Sequence, residues 1–156
     1  MKKVMFISSC GGHLTELLQL KSMFNDYDYS IITEKTKNTI DLKDKYKGKV
    51  HYMIYGTKDH FLVYPFKLII NCFISLLYFI KLRPEYIITT GAHTAGPMCI
   101  IGKLFRKKII FIETFAKINK KTITGKLIYP IADLFIVQWE SMLKLYPNAV
   151  YGGWLF

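Results

Sequence analysis

The chain has 156 residues, of which 51% are hydrophobic and 15% aromatic, and its formal net charge is +11. This composition excludes an intrinsically disordered chain, and the length predicts one domain with a substantial core. The positive charge is almost entirely lysine, since Arg83 and Arg106 are the two arginines. Lysine suits base readout less well than arginine, so the charge favours a diffuse anionic partner, such as a membrane surface or phosphate groups, over a sequence-specific nucleic-acid site.

Three cysteines, Cys10, Cys72 and Cys99, occur at wide spacings and without a C-x-x-C pair. An odd count at such spacings argues against a disulfide framework or a structural zinc site and is typical of a reducing compartment. The apolar run after Lys2-Lys3 reaches Gly11-Gly12 too soon for a secretory signal peptide, so we expect a cytosolic location.

Short apolar strands alternate with helical patterns along the whole chain. This alternation predicts an α/β fold with a doubly wound, Rossmann-like parallel sheet, and a single domain over residues 1–156. Residues 35–49 are rich in lysine and are predicted to form a mobile loop with a short helix. In chain order, the predicted elements are strand Lys3–Ser8, helix Leu14–Phe24, strand Tyr29–Thr33, strand Val50–Ile54, helix Phe61–Leu82, strand Tyr86–Thr90, helix Pro97–Phe105, strand Lys108–Glu113, helix Thr122–Ile131, strand Leu134–Val137, helix Glu140–Leu145 and strand Ala149–Tyr151.

The long apolar helix predicted at residues 61–82 allows two interpretations. Its uninterrupted apolar part, Leu68–Ile80, is shorter than the about 20 residues that cross a bilayer. One interpretation is a core helix that crosses over between strands. The other is an interfacial helix whose outer face, rich in Phe and Tyr, inserts into a membrane while nearby lysines bind anionic lipid. Polar residues recur at helical spacing and form one stripe, namely Lys67, Asn71, Ser75 and Tyr78.

The segment from Ser9 to His13 joins the first strand to the first helix. Gly11 and Gly12 let the backbone approach a ligand closely, and free N–H groups at a helix N-terminus favour a phosphate or diphosphate. The turn lacks both the G-x-G-x-x-G of dinucleotide-binding folds and a Walker G-K-[ST]. Glu34 nevertheless lies 22 residues after Gly12, where a ribose-binding acid is expected. A tight turn without a ligand is the alternative interpretation.

Candidate proton-transfer groups lie beside this turn and beside two later strands. A neutral His13 can accept a proton from a sugar hydroxyl; alternatively it caps or packs locally. The second turn, Thr90–Pro97, has Thr94 at a predicted N-cap and Pro97 in the first helical turn. Glu113 ends the fifth strand, where an acid holds a base or a sugar hydroxyl, or caps a neighbouring helix. Parallel sheets bind ligands at the carboxyl ends of their strands, where all three groups fall.

The segment Asp26-Tyr27-Asp28 has the D-x-D spelling of the metal site in one class of sugar transferases. It lies between the first helix and the second strand, which is the opposite edge of the predicted sheet. We interpret it as a solvated turn and expect no metal site.

Several motifs resemble, in order and spacing, one family: the acceptor-side, membrane-associated subunit of split GT-B glycosyltransferases. Eukaryotes use this subunit to anchor the enzyme that adds the second N-acetylglucosamine to dolichol-diphosphate-linked N-acetylglucosamine, and bacteria use relatives in capsule and exopolysaccharide synthesis. The resemblance covers nearly the whole chain, and its most specific part is residues 122–151. The motifs are Ser9–His13, Thr90–Pro97, Phe111–Thr114, Leu127–Asp133, Val137–Glu140 and Tyr146-Pro147.

The resemblance implies the N-terminal, MurG-like half of a GT-B fold, with the donor-binding half on a separate chain. It implies that the acceptor diphosphate and the reacting hydroxyl lie beside the two turns, with His13 or Glu113 removing the proton. It implies no cofactor and no metal, and a UDP-sugar donor bound mainly by the partner. The residues expected to bind the acceptor or its diphosphate are Ser9, Gly11, Gly12, Thr90, Gly91, His93, Thr94, Gly96 and Thr114.

We therefore expect a subunit of an inverting glycosyltransferase in capsular or exopolysaccharide biosynthesis, peripheral on the cytoplasmic face of the plasma membrane. It is expected to bind an undecaprenyl-diphosphate-linked sugar and to recruit its donor-binding partner, but no nucleic acid. The eukaryotic anchors carry an N-terminal transmembrane helix that this sequence lacks, so attachment is expected to rest on residues 61–82, nearby lysines and the partner. The alternatives are a non-catalytic scaffold that activates the partner, and a nucleotide- or nucleic-acid-binding Rossmann domain, suggested by the charge and Glu34.

Overall fold

A computed structural model of the protein describes residues 1–56 and 64–155. The described strands form one parallel sheet in the order β3-β2-β1-β4-β5-β6-β7, which confirms the predicted Rossmann-like α/β class. The chain order reverses between β1 and β4, and ligands of such sheets bind in the crevice at this reversal. The strands are β1 (Lys3–Ser8), β2 (Asp28–Glu34), β3 (Val50–Met53), β4 (Tyr86–Gly91), β5 (Lys108–Ile112), β6 (Leu134–Val137) and β7 (Val150–Tyr151).

Helices cover both faces of the sheet. The predicted first helix is wrong in its C-terminal part, because the α-helix ends at Gln19 and a 3-10 helix, Leu20–Asp26, continues the chain. Ser, Asn and Asp in that stretch favour local hydrogen bonds over an α-helix. A second 3-10 helix, Glu140–Lys144, follows β6. The described α-helices are α1 (Gly12–Gln19), α2 (Leu42–Lys45), α3 (Tyr64–Leu82), α4 (Ala95–Leu104) and α5 (Ile123–Ile128).

The strands are apolar on both faces, and each face packs against helices. Val4 to Ile7 of β1 are all at most 4% exposed. Phe6 packs with Leu17 of α1 on one face, and Met5 packs with Phe79 of α3 on the other. Burial of this apolar surface is the main driving force for the fold and places the carboxyl ends of β1 and β4 side by side.

Helix α3 buries two polar residues, together with Phe79, on the side that faces the sheet. Asn71 and Ser75 are 3% and 0% exposed and face the protein. The Asn71 side-chain amide makes two hydrogen bonds with the backbone of Ile54, 2.9 and 2.8 Å long, and the Tyr78 hydroxyl donates to the Tyr52 carbonyl (3.0 Å). The predicted polar stripe therefore anchors the helix to the loop and strand at β3.

The opposite side of α3 is apolar and exposed. The segment Pro65–Leu82 is long and apolar enough to cross a membrane, with a mean hydropathy of 1.6, and 17% of it is buried. Residues 61–63 of the predicted helix lie outside the described residues. We call the exposed set the outer face of α3; it consists of Phe66, Ile69, Ile70, Phe73, Leu76, Leu77 and Ile80.

Candidate functional site

The turns that follow β1 and β4 meet at the carboxyl edge of the sheet, because these strands are neighbours. The Ser9 amide donates to the Gly91 carbonyl (3.1 Å), and the Ala92 amide donates to the Ser9 hydroxyl (3.4 Å). Ser9 is 6% exposed, so this predicted ligand-binding residue instead joins the two turns. The structure thus brings together the two glycine-rich turns that the sequence singled out.

Gly11 and Gly12 face open space at the start of α1. Gly11 has a φ of 80°, a conformation that favours glycine, and a Cβ added at either glycine would meet no atom within 4 Å. No side chain caps the helix, so the N–H groups of its first turn are available to an anion. A crevice of about 760 Å³ opens here between α1 and the loop Lys35–Thr39.

His13 is held by Thr90 in two ways. The His13 Nδ1 atom lies 2.7 Å from the Thr90 carbonyl oxygen, and the Thr90 hydroxyl donates to the His13 carbonyl (2.7 Å). A carbonyl only accepts hydrogen bonds, so Nδ1 carries the proton. In the neutral ring, Nε2 therefore keeps its lone pair, and the half-buried side chain presents the tautomer that a general base requires. Thr90 is 0% exposed and positions His13.

Gly91 leaves the room that the His13 ring occupies. Its φ is 98°, and a Cβ at this position would lie 3.4 Å from both Cε1 and Nδ1 of His13. A larger residue would be strained in its backbone and would crowd the ring. Gly91, predicted as a ligand-binding residue, thus also sets the position of the candidate base.

Glu34, at the end of β2, links both turns through a buried carboxylate. It is 1% exposed and accepts hydrogen bonds from the Cys10 amide (3.2 Å) and the Thr94 hydroxyl (2.9 Å), while His93 Nε2 lies 3.3 Å away. Burial by itself raises the pKa of Glu34, but the contacts with His93, Cys10 and Thr94 outweigh it and lower the pKa to about 2. These occupied oxygens argue against the ribose-binding interpretation of Glu34.

The other predicted residues of the second turn serve different purposes. Thr94 precedes α4, but its φ of −60° and ψ of −32° are helical, so its side chain does not cap the helix as predicted; it binds Glu34 instead. Gly96 is buried, and a Cβ there would lie 3.7 Å from Leu127 of α5. A Cβ at that distance makes an ordinary van der Waals contact, so the packing of α4 on α5 does not require glycine, and the half-buried His93 side chain contacts Glu34 through Nε2.

Glu113 lies in a closed network. It is 1% exposed and accepts hydrogen bonds from the Tyr146 hydroxyl (2.8 Å), the Thr122 hydroxyl (3.0 Å) and the Thr114 amide (3.2 Å). Burial raises the pKa of Tyr146, and the hydrogen bond to Glu113 raises it further. These contacts give Glu113 a structural role in the network, and its proton transfer stays a prediction.

Thr114 connects β5 to helix α1. It is 6% exposed, and its hydroxyl donates to Glu16 (2.7 Å). Its predicted role in binding the acceptor is therefore not supported by its contacts. The sequence did not identify Glu16 as a site residue, because its partner Thr114 is distant in the chain. The one signal in the sequence was that an acidic residue lies three positions after His13.

An apolar groove of about 480 Å³ begins beside the second turn, at His93, and runs between α3, α4 and α5. It adjoins the outer face of α3 through Leu68 and Cys72. The groove thus begins at the second of the two turns that meet at the carboxyl edge of the sheet. The apolar lining of α4 and α5 comprises Pro97, Ile100, Ile101, Ile123 and Leu127.

Metal binding and nucleophilic catalysis by Cys10 receive less support from the structure. Within residues 1–56 and 64–155, no group of three or more His, Cys, Asp and Glu side chains is placed to hold a metal ion. Asp28 of the D-x-D segment begins β2, at the amino edge, and binds Lys49 (3.0 Å). Burial raises the pKa of the Cys10 thiol to about 11, which makes it a poor nucleophile. His13 is the predicted site residue whose geometry suits proton transfer.

Comparison with known sequences agrees with this arrangement. The family described as "Oligosaccharide biosynthesis protein Alg14 like" matches residues 4–155. A human protein named UDP-N-acetylglucosamine transferase subunit ALG14 is 26% identical in an alignment of 175 positions, gaps included, that covers 96% of this chain and 81% of the human one. The protein of this name in Schizosaccharomyces pombe is 26% identical, over 97% of this chain and 82% of its own. The protein of this name in Candida albicans is 39% identical, over 51% of this chain and 39% of its own.

Solved structures show the same fold within longer chains. MurG of Acinetobacter baumannii has a TM-score of 0.72 and 17% identity, over 90% of this chain and 43% of its own. Staphylococcal MnaA, solved with UDP, has a TM-score of 0.72 and 14% identity, over 97% and 43%. This chain therefore has the fold of one half of a GT-B protein and spans less than half of each neighbour.

Proposed function

Because the chain belongs to the Alg14-like family of oligosaccharide biosynthesis proteins, we propose that it is the acceptor-side subunit of a two-component, inverting glycosyltransferase. In this proposal it binds a lipid-diphosphate-linked sugar at a membrane and recruits a separate subunit that carries a UDP-sugar. The observation that carries the proposal is the meeting of two glycine-rich turns around His13, whose Nδ1 is held 2.7 Å from the Thr90 carbonyl oxygen.

The first turn of α1 supports binding of the diphosphate. Gly11 and Gly12 leave the helix N-terminus open, and Lys35 and Lys37 line the same crevice, so partial and full positive charges converge there. The apolar groove that starts at His93 suits the first part of the lipid chain. The head group and the lipid of one acceptor would thus occupy neighbouring surfaces.

His13 is the proposed general base. A hydroxyl of the acceptor sugar attacks the anomeric carbon of the donor, and His13 Nε2 takes the hydroxyl proton as the new C–O bond forms. The bond between the anomeric carbon and the UDP oxygen breaks, and UDP leaves with the bonding electrons. Inversion follows from attack opposite to the leaving group. No metal or cofactor takes part in this proposal.

The outer face of α3 supports attachment to a membrane. A soluble helix normally turns its apolar side inward, whereas α3 buries Asn71 and Ser75 and leaves Phe73 65% exposed. Because Asn71 and Tyr78 hydrogen-bond to the backbone of Ile54 and Tyr52, the proposal is peripheral insertion of the outer face on the cytoplasmic side and not a crossing of the bilayer. Lys81, exposed in the last turn of α3, is available to bind anionic lipid head groups.

A donor-binding partner is part of the proposal because the human relative is named as a subunit of a transferase. The partner would face the carboxyl edge of the sheet, where His13 lies. The relatives are named as UDP-N-acetylglucosamine transferase subunits, so UDP-N-acetylglucosamine is the first donor to test. The undecaprenyl carrier and the capsular or exopolysaccharide setting rest on the bacterial side of the resemblance; the relatives compared above are eukaryotic.

The test is sugar transfer by the assembled pair. The chain is co-purified with the donor-binding subunit of its host, and transfer from UDP-N-acetylglucosamine to an undecaprenyl-diphosphate-linked N-acetylglucosamine is followed by chromatography. We expect His13→Asn to lower kcat by roughly 100-fold or more, as for loss of a general base, without loss of the complex. The matched control is His51→Asn, because His51 lies on β3, outside the site.

Two outcomes separate the alternatives. Full turnover by His13→Asn would favour the scaffold interpretation, in which the chain recruits and activates its partner without a proton-transfer group. Absence of transfer by a stable wild-type pair, together with binding of single-stranded RNA by this chain alone, would favour the nucleic-acid interpretation.

A further inference from the structure

Glu16 lies one helical turn after His13 on α1, and its carboxylate is fixed from the β5 side. Its Oε1 atom accepts hydrogen bonds from the Thr114 hydroxyl (2.7 Å) and the Phe115 amide (3.1 Å). Glu16 is 15% exposed in its side chain. One oxygen is thus held by two donors, which fixes where the other oxygen lies.

The second oxygen, Oε2, is buried and has no hydrogen-bond partner among the described residues. It lies 4.0 Å from His13 Nδ1. A buried carboxylate oxygen without a donor is costly and requires an explanation. A positive charge on the neighbouring imidazole supplies one, because the attraction between opposite charges at this distance is strong away from bulk water.

We propose that Glu16 is the positioning residue and counter-charge of His13. When Nε2 accepts the acceptor's proton, Nδ1 keeps its own proton on the Thr90 carbonyl, and the ring becomes an imidazolium beside Glu16 Oε2. The carboxylate stabilises this cation and so favours proton transfer. This inference rests on the proposed function of His13 for its catalytic consequence, but the coupling between the two side chains is a property of this chain alone.

The other contacts recorded around the ring are with uncharged groups. Strand β4 contributes the Thr90 carbonyl and Gly91, and the Phe111 ring of β5 lies 3.9 Å from the Cβ position of Gly91. Among the described residues, Glu16 is the charged side chain within ion-pair distance of the His13 ring. Removal of its charge is therefore expected to change the proton affinity of the ring.

The test is the variant Glu16→Gln, whose amide oxygen can still accept from Thr114 and Phe115. The pH titration of the His13 ring is followed by NMR in the full chain, and the pH dependence of transfer is measured in the complex. Because the carboxylate charge beside the ring is lost, we expect the ring signals and the acidic limb of the pH–rate profile to move toward lower pH. We also expect kcat to fall roughly tenfold, with KM for the acceptor within about twofold.

Two variants distinguish charge from structure. Thr114→Val removes a donor but keeps the Glu16 charge, and Asp26→Asn removes an exposed carboxylate at the amino edge of the sheet. Asp26→Asn is expected to leave the His13 titration as in the wild type, whereas Thr114→Val, which loosens the Glu16 carboxylate but keeps its charge, is expected to move it less than Glu16→Gln does. An unchanged titration in Glu16→Gln, or an equal shift in either control, overturns the inference. Full turnover by His13→Asn refutes the catalytic proposal instead, and leaves the measured coupling in place.

Discussion

The outer face of α3 makes a quantitative prediction about membrane binding. The perturbation is the double variant Phe73→Gln and Leu77→Gln, which changes two side chains four residues apart on the same face. Both are 65% exposed, so the substitution removes apolar surface from the exterior without opening a cavity. Glutamine is a good helix former, so we expect the free energy of unfolding to change by less than about 1 kcal/mol.

The expected loss of membrane affinity follows from the exposed surface. Full burial of a Phe or Leu side chain is worth about 1.5–3 kcal/mol, so burial of the exposed two-thirds is worth roughly 1–2 kcal/mol for each residue. The pair then contributes about 2–4 kcal/mol if the outer face inserts into lipid. Since about 1.4 kcal/mol corresponds to a tenfold change in an equilibrium constant, the partition coefficient of the chain between lipid and water should fall roughly 30- to 700-fold.

The assay is flotation of the purified chain with vesicles that contain an anionic phospholipid, over a range of lipid concentrations. The matched control is Ile40→Gln, because Ile40 is 50% exposed but lies in the loop that precedes α2. We expect the control to bind the vesicles like the wild type. Raised salt should weaken the binding of both proteins, because it screens the attraction between their lysines and the anionic lipid. Equal partitioning of the double variant and the wild type would refute the membrane role of this face, as would an equal loss in the control.

The remaining predictions concern the interactions that shape the site. The pKa of Glu34 is about 2 in the folded protein against 4.5 for the free group, so its ionised form contributes about 3 kcal/mol of stability above pH 4.5, and this is lost as the pH falls toward 2. Urea unfolding at several pH values should therefore show a steeper acid dependence for the wild type than for Glu34→Gln, and identical profiles would contradict this reasoning. Gly91→Ala should lower the stability by about 1–3 kcal/mol in thermal unfolding, because its φ of 98° disfavours a side chain, and should lower transfer by displacing His13; a fully active, equally stable variant would disprove this. Tyr146→Phe should cost about 1–3 kcal/mol in urea unfolding, because Glu113 loses a donor at 2.8 Å, and an unchanged midpoint would show that the network is dispensable.

The order of apolar strands and helices was sufficient to predict the parallel sheet. Four consecutive buried residues in β1 are typical of a strand that is covered on both faces, and such sheets bind ligands at their carboxyl edge. The turns after β1 and β4 could therefore be placed together from the sequence. Boundaries were less predictable, as the switch from α1 to a 3-10 helix at Leu20 shows, because terminal turns depend on weak local preferences.

The sequence by itself determined the fold class and the edge at which the turns lie, and it offered His13 and Glu113 as candidate bases, since these depend on local patterns and on chain direction. Only the tertiary structure decided which candidate residues hydrogen-bond to other residues of the site and which remain open to a ligand. Thr90 and Thr94 bind His13 and Glu34 across 77 and 60 residues of chain, and the Thr114 hydroxyl reaches Glu16 across 98. The direction of α3 was decided in the same way, because a helical pattern defines two faces, whereas packing against β3 determines which of them is buried.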